Sequence, residues 1–98
     1  MSENRILYSE CLRVYNIDES FAESLFESGL IQIFEHENER FVELSELDNL
    51  EQFMRWYYDM NINVEGIEAL YHILGRMRNI QTELETLKNE LSFYKSLQ

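Results

Sequence analysis

The chain has 98 residues, enough for one small domain and an extension, and at this size a single core gains from burial against a second copy. Hydrophobic and aromatic shares of 45% and 13% exclude a disordered chain despite a net charge of −11, while a pI near 4.4 argues against nucleic acid and anionic membranes and for basic partners. A single cysteine, Cys11, excludes an internal disulfide and a cysteine-rich zinc site, and no apolar run approaches the roughly 18 residues of a membrane span.

The opening Met1-Ser-Glu-Asn-Arg5 lacks the cationic start and apolar core of a secretion signal, so a cytoplasmic protein is expected. Ser9 is placed to cap a first short helix through about Tyr15, with Cys11, Leu12 and Tyr15 turned inward. Asn16-Ile17-Asp18 reads as a turn, and Asp18 as the N-cap of a second helix with Phe21, Leu25 and Phe26 on its inner face. Gly29 supplies the left-handed residue that ends this helix, and Leu30 its apolar contact. Helix, three-residue turn, helix is helix-turn-helix spacing.

Ile31-Gln-Ile-Phe34 and Arg40-Phe-Val-Glu-Leu44 flank the polar tip Glu35 to Glu39, the pattern of a β-hairpin wing. Ser45 is expected to cap a third helix to about Asp59, with Leu47, Leu50, Phe53, Met54 and Tyr57 facing the core. Asn63 caps the last helix, and Ile62 and Ile67 form a hydrophobic staple across its first turn. From there Leu70, Ile73, Met77, Ile80, Leu84, Leu87, Leu91 and Tyr94 alternate spacings of three and four, a coiled-coil seam that a second copy would cover. A parallel pair sets Glu83 against Lys88 and Glu90 against Lys95; an antiparallel pair gives two Arg76–Glu90 contacts and one Glu83–Glu83 clash. Charge leaves the orientation open. The fold expected is mainly α: a winged helix-turn-helix head over residues 1–60 and a long coiled-coil helix over residues 61–98.

Glu27-Ser-Gly-Leu-Ile31, the stretch Tyr58-Asp-Met-Asn-Ile-Asn-Val-Glu-Gly-Ile67 and the glutamate-rich run Leu70 to Leu91 resemble the MerR-type winged helix, and more closely the bacterial chaperone-modulator (CbpM-like) family. The resemblance spans about Leu7 to Tyr94, with Gln32-Ile33 standing where the family carries a Glu-Pro type pair. It implies a non-enzymatic adaptor that binds the J-domain of a DnaJ-like, curved-DNA-binding co-chaperone and restrains it. It also implies a homodimer through the long helix, which in MerR-like proteins usually pairs antiparallel.

Charge bears on which function the head serves. Between Arg13 and Arg40 there is no lysine or arginine, whereas Asp18, Glu19, Glu23, Glu27, Glu35, Glu37 and Glu39 fall in that window. DNA binding depends on cations that neutralise phosphates, so a head this acidic disfavours the alternative of a dimeric MerR-like transcription factor. Glu19, Glu23 and Glu27, spaced i, i+4 and i+8, make an acidic stripe that complements the basic helix J-domains present. Arg55, Trp56 and Tyr58 are further candidates for partner contact, since an aromatic run at 56–58 covers more than one helix face. His36 and His72 lack a companion at metal-ligand spacing, and Cys11 reads as a buried apolar residue. No catalytic constellation, cofactor motif or metal site is expected.

Overall fold

In the computed structural model, which describes residues 4–98, the chain runs β1 (Arg5–Leu7), α1 (Tyr8–Tyr15), α2 (Glu19–Glu27), β2 (Phe34–His36), β3 (Glu39–Glu43), α3 (Leu47–Met54) and α4 (Val64–Ser96). The first three residues, on which the reading of the leader partly rests, lie outside the described range. Two compact units emerge, Met1–Glu68 and Ala69–Gln98.

In the first unit the strands form one antiparallel sheet in the order β1-β3-β2, with Ile6 opposite Val42 and Phe34 opposite Phe41. β1 has no counterpart in the sequence expectations, because its partner lies far along the chain and nothing local announces the pairing. It runs straight into α1, so the helix starts at Tyr8 with Leu7 in the cap position. Ser9 lies inside the helix and does not cap it. Asn16 adopts the left-handed conformation (φ 56°), and the Ile17 amide donates to the Leu12 carbonyl at 3.1 Å.

Asp18 precedes α2 in an extended conformation, but its carboxylate makes no capping bond. The far end closes as expected. Gly29 (φ 82°) lets the Leu30 amide reach the Leu25 carbonyl at 2.9 Å and its own amide reach that of Phe26 at 3.0 Å, the two bonds of a Schellman motif. Phe21, Ala22 and Leu25 form the buried stripe, while Phe26 lies outside it, 38% exposed. That position differs from the expectation because Ala22, one position along from Phe21, takes the inner place.

Glu37 and Asn38 both have positive φ (53° and 67°), a type I′ turn whose twist suits a two-residue hairpin loop. So short a loop draws Glu35, His36 and Glu39 into the strands rather than the tip, and leaves residues 31–33 outside β2. Ser45 caps nothing: a 3-10 turn, Leu44–Glu46, leads into α3. α3 stops at Met54 and continues as a π turn, Arg55–Asp59, in which the Met60 amide bonds the Arg55 carbonyl at 3.1 Å. This wider turn shifts the helix face by one residue. Trp56, at i+3 from the buried Phe53, is itself buried, and Tyr57 is half-buried with its ring 4.1 Å from that of Phe21.

Asn63 caps α4 through its Oδ1, which accepts from the Gly66 amide at 2.8 Å. Ile67 is fully buried and Ile62 half-buried, as the staple requires. The core centres on Phe53, Leu25, Leu50, Ile67, Val42 and Cys11. The second unit is the rest of α4. Its seam residues from Ile73 (51%) to Tyr94 (65%) are exposed in the single chain, and Leu70 is half-buried. The architecture is a mainly α winged helix-turn-helix with a β-hairpin wing and a long C-terminal helix.

Candidate functional site

The exposed side of α2 is set by its buried stripe. With Phe21, Ala22 and Leu25 inward, helical geometry turns Glu19, Ser20, Glu23 and Glu27 outward and leaves Phe26 at their margin. Glu19 and Glu27 are exposed, whereas Glu23 is only half-exposed. Its Oε2 accepts from the Tyr8 hydroxyl at 2.9 Å and lies 2.9 Å from Nη1 of Arg40 on β3. The Arg40 guanidinium stands 4.5 Å above the Tyr8 ring and 6.0 Å from the Phe26 ring. Helix α2 and the wing are thus joined by one carboxylate, one guanidinium and two rings.

Hydrogen bonding from Arg40, then from Tyr8, holds the Glu23 carboxyl below its usual range. Burial and the bond to Glu23 push the Tyr8 phenol far up. The carboxylate is therefore a fixed acceptor at neutral pH, and among the described residues the one cation bordering α2 is already neutralised.

The other arginines of the unit are disposed differently. Arg5 lies 4.2 Å above the Phe41 ring, and Arg13 pairs with Glu10 at 2.7 Å along α1. Arg55 is exposed on the π turn and borders a shallow hollow of about 290 Å³ with Glu51, Met54, Tyr58 and Asp59. Tyr58 is 44% exposed, packs edge-on against Phe21, and accepts the Asp18 amide through its hydroxyl at 3.1 Å. Trp56, put forward for partner contact, is 8% exposed and belongs to the core, where it supports the surface from beneath.

The structure therefore gathers the α2 candidates along one stripe. Glu19, Glu23 and Phe26 look toward the wing. Glu27, one turn on from Glu23 along the same stripe, also lines an open groove of about 510 Å³ with Ser24, Ser28, Tyr57, Glu65 and Glu68. Tyr8, buried, and Phe26, exposed, were both missed as members of this site. Tyr8 has no sequence signal, since its partners come from other elements; Phe26 is betrayed only by Ala22 competing for the inner position.

The remaining singled-out residues are quickly placed. Cys11 is buried, and burial raises its thiol pKa, which keeps it in the unreactive protonated form. His36 is exposed on the wing 3.1 Å from Glu37, and His72 is exposed on α4 against the Tyr71 ring. Among the described residues no three His, Cys, Asp or Glu side chains come together as a metal site, and no helix is long and apolar enough to cross a membrane.

No curated protein and no solved structure matches the chain. Residues 6–89, which take in the helix-turn-helix, the wing and most of α4, match the profile of the MerR HTH family regulatory proteins. Proteins of that family commonly act as dimers. The match covers most of the chain, so the protein belongs to the MerR family of helix-turn-helix regulatory proteins.

Proposed function

We propose that this MerR-family protein is a chaperone modulator of the CbpM-like kind: a cytoplasmic, non-enzymatic homodimer that binds the J-domain of a DnaJ-like co-chaperone and inhibits it. The observation that carries this reading is the charge of α2. The helix that would read bases presents Glu19, Glu23 and Glu27, and the one arginine bordering it is tied to Glu23 at 2.9 Å. A polyanion meets repulsion there, whereas a basic helix gains steering and register. Arg55 and Tyr58, exposed on the π turn, extend the contact surface. The α4 seam joins the two copies.

Calorimetric titration of a purified J-domain into the native chain and into the Glu19→Lys/Glu27→Lys variant tests this. Glu23 is left in place to keep the tie to the wing. Binding to the native chain, weakened at least about tenfold in the variant and by added salt, is the expected result. Absence of binding to native protein would refute the proposal.

Family membership itself favours a second reading, a dimeric DNA-binding transcriptional regulator. Retention of the native chain on duplex DNA at low salt, where phosphate contacts are strongest, would favour it. Under the first reading there is none.

A further inference from the structure

We infer that Phe26 is the anchor of the partner-binding face, and that this face fits a protein helix whose lysines or arginines surround an apolar hollow able to take a phenyl ring. The inference rests on the reading of α2 as a protein-docking helix. Phe26 is a large ring left 38% exposed on a helix whose other outward positions are Glu19, Ser20, Glu23 and Glu27. The core does not require it there, because Phe21, Ala22 and Leu25 already close the inner side. The ring is also flanked by ordered groups. The Arg40 guanidinium lies 6.0 Å from its centroid and is itself fixed by Glu23 at 2.9 Å and by the Tyr8 ring at 4.5 Å. Aromatic side chains held in place before binding lose little freedom on docking, which is why they dominate hot spots.

The surroundings of Phe26 select the occupant. A phenyl ring offers no donor to a phosphate or a base edge, and the cation beside it is already neutralised. An acidic partner is repelled by Glu19 and Glu27. A wholly apolar partner would strip water from those carboxylates and give nothing in return. A helix with cations around a central hollow satisfies both the ring and the acids.

Two synthetic lysine-rich helical peptides of equal charge test this, one with leucines bordering a central alanine and the other with serines in place of the leucines. Each is titrated into the full chain and into Phe26→Ala. The native chain is expected to bind the leucine peptide at least about tenfold more tightly than the serine peptide. Phe26→Ala is expected to erase that preference, leaving the affinity for the serine peptide and the circular-dichroism spectrum unchanged. Equal affinities for the native chain, or a preference that drops by less than about threefold in the variant, overturn the inference. A J-domain titration separates it from the preceding reading. Leucine preference without J-domain binding keeps the anchor and removes that partner. J-domain binding untouched by Phe26→Ala keeps the partner and removes the anchor.

Discussion

Glu23 accepts bonds from two elements at once, Tyr8 at the start of α1 and Arg40 on β3. Its carboxyl is held below its ordinary value, chiefly by Arg40. A carboxylate so depressed stabilises the fold at pH values above its unfolded pKa of about 4.3, and the contribution fades as pH falls through the lower folded value. Glu23→Gln is therefore expected to lower stability at pH 7 by about 1 kcal/mol in urea unfolding, the tie being only half-buried. The gap between the two proteins should narrow below about pH 4. Glu46, whose carboxyl is raised by burial, works in the opposite sense in both proteins and cancels in the comparison. A gap independent of pH would mean that the charge of Glu23 is not what joins helix to wing. The acidic stripe was legible in the spacing of Glu19, Glu23 and Glu27, but not that Glu23 is committed internally. Its partner Tyr8 lies 15 residues away, beyond any local pattern.

At the scale of elements, the opening of α4 explains why glycine stands at position 66. A β-carbon there would lie 2.8 Å from Cγ2 of Ile62 and 3.0 Å from Oδ1 of Asn63, so it collides with the staple and the cap together. Alanine is ordinarily the better residue inside a helix by roughly 0.5–1 kcal/mol. Here Gly66→Ala is expected to destabilise by about 1 kcal/mol, the worth of a cap. Asn63→Ala should cost a similar amount alone and little in the Gly66→Ala background, a non-additivity that a double-mutant cycle detects. The wing offers the opposite case. Glu37 and Asn38 hold left-handed conformations that Asn-Gly adopts with less strain, so Glu37→Asn/Asn38→Gly should stabilise by about 0.5–1 kcal/mol. A lower thermal midpoint for that variant would contradict the turn assignment. The caps at Gly29 and Asn63 were readable because their bonds are local. β1 was not, since it exists only as a partner of β3, and neither was the π turn, which follows from no residue type in Arg55-Trp-Tyr-Tyr-Asp59.

For the molecule as a whole, the central question is what covers α4. Its heptad residues from Ile73 to Tyr94 are more than half exposed in one chain, a continuous apolar stripe of the sort that marks an interface. Met77→Glu/Leu84→Glu is expected to give monomers or loss of helicity, read by light scattering and circular dichroism. A native chain that scatters as a monomer at micromolar concentration would refute pairing through the seam. Under the proposed pairing, that stripe also ties the persistence of the protein to its amount. If a second copy shelters the helix, as proposed, it opens when copies are scarce, and open helix is what proteases cut. Diluted chains should therefore be trimmed from the C-terminal side faster than concentrated ones, with the core around Phe53 outlasting α4. Newly made molecules would survive in numbers and be cleared when few, so that turnover sets a floor on abundance without any separate sensor.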